Sequence, residues 1–220
     1  MSDDEILPLS TSSETVLDVA AAVSSIAPWV GGPIGAVLSG MSLSRKLERV
    51  KGVLLDMANQ IKDINSDLAK EYVKTEEFQE LLEKTLRQAA DERSEEKRKA
   101  YASFLSGDIK SPGQSYDEKI RILRHLEELQ SDHIRMLKAL IQPPNYNHDH
   151  LTGSISQTLQ NRLPDIPVDR ISDLAQQLTD MRMANLTNLN TMMTARGAEE
   201  LQGTVTDYGQ RFISYILAGR

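Results

Sequence analysis

Residues 43–68 read LSRKLERVKGVLLDMANQIKDINSDL. Within them Leu43, Leu47, Val50, Leu54, Met57, Ile61, Ile64 and Leu68 recur at alternating steps of four and three. That spacing puts all eight on one stripe of a helix, as in a heptad repeat. Val53, Leu55 and Ala58 widen the stripe, which suits a helix bundle as well as a two-stranded coil. Packing inside the chain and coiled-coil self-association both remain open.

The stripe is entered from VAAAVSSIAPWVGGPIGAVLSGMSLS, residues 19–44, which carry no charge. The run is long enough for a bilayer, which takes about 20 helical residues. Pro28, Gly31, Gly32 and Pro33 interrupt it. Two short helices, roughly 13–27 and 33–43, joined by a bend are the expected form, with Pro33 near a helix start. Trp29, Val30, Gly31, Gly32, Ile34, Gly35, Val37 and Leu38 are the candidate membrane or helix contacts, because small residues allow close approach in either setting. Burial in protein, conditional membrane insertion and a constitutive span are the alternatives.

Residues 1–44 hold Asp3, Asp4, Glu5, Glu14 and Asp18 but no Lys or Arg, and Arg45, Lys46, Arg49 and Lys51 follow abruptly. An acidic leader argues against a signal peptide. The basic cluster would hold its end of the run on the cytoplasmic side, so a cytoplasmic protein, peripheral to the inner membrane face, is expected.

Downstream, the spacing predicts a helix over 76–106, with DERSEEKRK at 91–99 as a solvated stretch and Glu95–Lys99 an i,i+4 pair. KSPGQS at 110–115 is a connector. Ser115 and Glu118 are spaced as a capping box for a helix running to about Gln142, with Ile120, Leu123, Leu126, Leu129, Ile134, Leu137 and Leu140 inward. Pro143 and Pro144 stop it. PPNYNHDH, 143–150, is the expected linker between a helical domain at 1–142, with its apolar hairpin at 13–43, and a second domain at 151–220. His148, Asp149 and His150 read as solvated linker, and His125 and His133 as ordinary helical residues.

In the second domain, helices are expected at 154–162, 169–183 and 207–217, with strands at Thr191–Ala195 and Leu201–Thr206 around Arg196–Glu199. This order, together with the Thr206-x-x-Gly209 element before an apolar helix, resembles a bacterial winged-helix domain over about 70 of the 220 residues. The N-terminal part resembles, more loosely, bacterial proteins with a Gly/Pro-rich apolar hairpin ahead of long charged helices; no activity follows from that. The winged-helix resemblance implies major-groove reading by the second helix, with Arg170, Gln176, Gln177, Arg182 and Arg196 as the DNA candidates. The domain's six Arg, no Lys and seven acids disfavour phosphate contacts.

The whole chain of 220 residues has a formal net charge of -7 and no cysteine. Disulfides and thiolate chemistry are excluded, and broad nucleic-acid attraction is disfavoured. No P-loop, dinucleotide fingerprint or nucleophile elbow is present, so neither a cofactor, a metal nor an enzymatic function is expected. The expected fold is mainly α, a long-helix bundle with an apolar hairpin plus a small α+β winged-helix-like domain. The expected function is a non-enzymatic, oligomerising protein that binds protein partners and engages membrane conditionally through 19–44. The alternative is a winged-helix transcriptional regulator dimerised by its helical part.

Overall fold

A computed structural model describes residues 17, 19–24, 28–38, 44–145 and 152–217. Among the described residues the fold is mainly α, with one small two-stranded sheet. Contacts divide the chain into two units, Met1–Leu123 with Tyr215–Arg220, and Arg124–Ser214. The division does not fall at 143–150, and 146–150 of that linker lie outside the described residues.

The first unit begins with helical residues at 19–24, α1, and a turn at 28–30. Then come α2 (Gly31–Leu38), α3 (Ser44–Ile61), α4 (Asp67–Tyr72), α5 (Glu76–Asp91), α6 (Glu95–Lys110) and the first part, to Leu123, of α7 (Tyr116–Glu128). The bend expected around Pro28 and Gly32 is thus present. At about 1.5 Å per residue, the eight-residue α2 is about 12 Å long, well short of a bilayer core of about 30 Å. Among the described residues no helix is long and apolar enough to cross a membrane.

On α3, Leu47, Val50, Leu54, Met57 and Ile61 are buried, joined by Val53 and Ala58. They pack on α5 and α6, inside the unit. Full burial of each large aliphatic side chain contributes roughly 1.5–3 kcal/mol before entropy is counted. The stripe stops earlier than its spacing predicts. Asn65, Ser66 and Asp67 favour turns and helix starts over helix interiors, and the chain leaves the helix after Ile61. Ile64 is half-buried in the turn and Leu68 is 67% exposed on α4, so neither continues the seam. Leu43 lies outside the described residues.

The single helix expected over 76–106 is two helices. Thr75 caps α5, the Phe78 amide donating to its hydroxyl at 3.3 Å. Ser94 caps α6 in the same way, accepting from the Lys97 amide at 3.3 Å. Glu92 accepts from the Ser94 amide at 2.7 Å and pairs with Lys97 at 3.0 Å. Lys97 is therefore buried, not solvated, whereas Glu95–Lys99 form the expected surface pair at 2.6 Å. Helix α6 runs past Gly107 to Lys110 and is buried continuously from Ala100 to Ile109.

The second unit holds α8 (Ser131–Leu140), β1 (Thr152–Gly153), α9 (Ile155–Arg162), α10 (Val168–Asp180), β2 (Met193–Thr194) and α11 (Ala195–Glu199). A 3-10 turn at Leu201–Thr204 and most of α12 (Asp207–Ile216) follow. Helices α8, α9 and α10 pack on one another, and β1 pairs antiparallel with β2. The helix expected to run to Gln142 breaks at Leu129–Gln130, where Gln130 and His133 cap α8 reciprocally. The two wing strands do not form a hairpin. Thr194 caps α11, accepting from the Gly197 amide at 3.1 Å, and this turns 195–199 helical. Val205 makes only an isolated bridge with Ala184. The Thr206–Gly209 element has a local cause: the Gly209 amide donates to Thr206 Oγ1 at 3.0 Å, starting α12. A Cβ at Gly209 would run into the Met183 carbonyl.

Candidate functional site

The apolar hairpin places its residues on two faces. Val30, Ile34 and Leu38, one helical turn apart, are fully buried, and Gly31 is buried beside them. Helix α2 packs on α5, and a Cβ on Gly31 would collide with Ser24 Oγ of α1. This half of the hairpin faces protein. Trp29, Gly35 and Val37 are half-buried and Gly32 is exposed. A Cβ added at Gly32 or Gly35 would meet nothing within 4 Å. The outer face of α2 is therefore small, apolar and free of charge.

A second constellation, not singled out by the sequence, lies under α4–α7. Lys119 on α7 and Asp108 on α6 have fully buried side chains 3.0 Å apart, Nζ to Oδ1. Lys119 Nζ also donates to Glu77 Oε1 at 2.7 Å, the Tyr72 hydroxyl at 2.8 Å and the Pro112 carbonyl at 3.3 Å. The Tyr72 hydroxyl donates to Asp108 Oδ2 at 2.7 Å. Burial raises both the Tyr72 phenol and the Asp108 carboxyl above their ordinary values. Tyr72 is raised further by the neighbouring carboxylates, whereas its hydrogen bond and the Lys119 charge partly offset the rise at Asp108. Such a buried group is high in consequence, because an unpaired charge there is strongly destabilising.

The DNA candidates occupy the second unit, and three are engaged within it. Gln177 Oε1 is 2.6 Å from His133 Nε2. Gln176 donates to Asp180 at 2.9 Å, and Arg170 donates to Gln130 Oε1. Arg182 is the one described non-glycine residue with a left-handed backbone, φ 57, ending α10. Arg196 is exposed on α11, not at the tip of a β-wing. Helix α10 also exposes Asp169, Asp173 and Asp180, a face that repels phosphate.

A polar cleft of about 410 Å³ lies between β1, α9 and α11, lined in part by Gln157, Asn161, Met192 and Glu199. Its strongest polar groups already serve the fold. Gln157 Oε1 accepts from the Ser154 amide at 3.1 Å, and Glu199 Oε2 accepts from Arg162 at 2.6 Å. Among the described residues no group of three or more metal-ligating side chains is assembled. His148, Asp149 and His150 lie outside them.

The chain matches no family model, no curated protein and no solved structure.

Proposed function

We propose that the protein acts without a built-in catalytic centre, by self-association through the outer face of its hairpin, and binds protein partners as that assembly. The observation that carries this reading is the pair Gly32 and Gly35. Each costs about 1 kcal/mol relative to alanine in a helix. Neither is needed for a close approach among the described residues, since a Cβ at either position meets none of them within 4 Å. Glycines so placed let another backbone come close from outside, where the face carries no charge. The heptad seam is a poorer candidate for self-association, because Leu47 to Ile61 are already used against α5 and α6.

Membrane engagement through 19–44 would require Val30, Ile34 and Leu38 to leave their protein contacts, or would use the outer face alone. A cytoplasmic protein held at the inner membrane face would follow. The regulator reading has weaker support, given how Gln176, Gln177 and Arg170 are engaged.

Two differently tagged copies of the full chain, mixed and purified through one tag, test the proposal. Co-purification that is lost on Gly35→Leu is the expected result. Absence of co-purification at any concentration overturns it. Flotation with anionic vesicles identifies lipid as the occupant if only vesicles recruit the chain.

A further inference from the structure

The buried cluster of the first unit has one donor too few. The Tyr72 hydroxyl stands between two carboxylates, 2.7 Å from Asp108 Oδ2 and 3.3 Å from Glu77 Oε1, with one proton to give. The three ammonium protons of Lys119 are directed to Tyr72, Glu77 and Pro112. Asp108 Oδ1 is close to that ammonium but not aligned with it, and accepts no hydrogen bond although fully buried. One positive charge faces two negative ones. In the interior both the missing donor and the excess charge are destabilising.

We propose that Asp108, Tyr72, Glu77 and Lys119 form a one-proton switch in which proton uptake at Asp108 turns the Tyr72 hydroxyl from Asp108 to Glu77 and tightens the junction of α4, α5, α6 and α7. Protonated Oδ2 donates to the Tyr72 oxygen, which keeps its second lone pair for Lys119. The Tyr72 hydroxyl then donates its own proton in a hydrogen bond to Glu77 Oε1. Both contacts of that hydroxyl keep a donor and the cluster becomes neutral; Asp108 Oδ1 still accepts no hydrogen bond, but as part of an uncharged carboxyl, for which that is less costly. The proton comes from solvent, reached through Glu77, whose side chain is 39% exposed.

The groups that face Asp108 are Tyr72 from α4, Glu77 from α5 and Lys119 from α7, with the buried Tyr215 of α12 also within reach of its charge. Glu118 acts on Tyr215, and α3 contributes the uncharged Gln60 beside Ser103 and Ser106. Burial, the largest influence on Asp108, raises its carboxyl, so the folded chain holds the proton more tightly than the unfolded one. Stability from this group is then complete below the unfolded carboxylate value and is lost as pH rises through the folded one.

The test is a carbon-detected NMR titration of the Asp108 carboxyl in the full chain, with urea unfolding run in parallel from about pH 5 to about pH 8. An Asp108 midpoint above the ordinary aspartate range is expected, moved down by Glu77→Gln. The urea midpoint of the wild type falls across the window relative to Asp108→Asn, whose uncharged amide donates to the Tyr72 oxygen at every pH. Titration of Asp108 in the ordinary range overturns the switch, as does a pH profile that Asp108→Asn leaves unchanged. If Asp108→Asn does not fold, the wild-type and Glu77→Gln titrations decide alone.

Discussion

Gly31 lies so close to Ser24 that the two helices of the N-terminal hairpin meet through the space a side chain would fill. An added Cβ would collide with Ser24 Oγ and come within 3.0 Å of its Cβ and 3.4 Å of its Cα. Gly31→Ala is therefore expected to destabilise the chain by about 1–3 kcal/mol, the range for overpacking. Gly35→Ala, which meets nothing, is expected to stabilise it by about 0.5–1 kcal/mol through helix propensity. Urea unfolding at low protein concentration checks both. Equal effects would mean that the hairpin is not closed through Gly31.

Arg162 gathers three parts of the second unit. It donates to the Ala139 carbonyl at 2.6 Å and to the Glu199 carboxylate at 2.6 Å, with side chains only 9% and 5% exposed. Arg162→Ala would leave Glu199 charged and buried, and a loss of about 3–5 kcal/mol is expected. Arg162→Met with Glu199→Leu leaves no buried unpaired charge and should lose less than Arg162→Ala alone, although the Asn145 amide then loses its acceptor. A double-mutant comparison by thermal unfolding measures this.

His133 holds the start of α8 as a neutral ring. Its Nδ1 accepts from the Gln130 amide at 3.0 Å, which leaves the ring proton on Nε2, facing Gln177 Oε1. Burial lowers its affinity for a second proton; Arg170 acts in the same direction, while the Gln177 contact and Asp132 oppose it. The folded chain thus binds that proton less tightly than the unfolded one. This contribution to stability is present above the ordinary histidine value of about 6.5 and is lost as pH falls below it. An NMR titration of the ring should give a midpoint below the ordinary value. An ordinary midpoint would contradict the cap.

Arg182 closes α10 with φ 57, and the Met183 amide donates to the Leu178 carbonyl at 2.9 Å, a helix end that usually takes glycine. Arg182→Gly is expected to be neutral or to stabilise by up to about 1 kcal/mol, the left-handed penalty removed being offset by glycine's chain entropy. A large loss, read from the urea midpoint, would show that the Arg182 side chain carries a contact that matters to the fold.

Some of this was legible in the residues. The Pro28–Pro33 interruption foretold the bend, and the Leu47–Ile61 spacing marked the buried face of α3. Beyond Ile61 the same spacing misled, because Asn65, Ser66 and Asp67 end the helix whatever Ile64 and Leu68 suggest. Ser94 followed by two glutamates was a readable helix start inside 76–106, overshadowed by the charge pattern around it. In the wing, Thr194 capping the next three residues won over β-propensity. The buried cluster left a fainter trace. Tyr101, Phe104, Leu105 and Asp108 share one helix face, as do Lys119, Ile122, Leu123 and Leu126, so each face has a charge where an apolar residue is expected. Their pairing depends on which helices meet, and no spacing within one helix shows that.

The most direct test of self-association through the hairpin is the molar mass of the full chain by light scattering, over a concentration series, for the wild type and Gly35→Leu. No described atom lies within 4 Å of a Cβ at Gly35, and urea unfolding of Gly35→Leu at low concentration checks that the isolated fold is kept. The expected result is a wild-type mass that rises with concentration to a multiple of 24.5 kDa, against a constant single-chain mass for Gly35→Leu. A wild-type chain that stays single at every concentration, or a variant that assembles equally well, would contradict it.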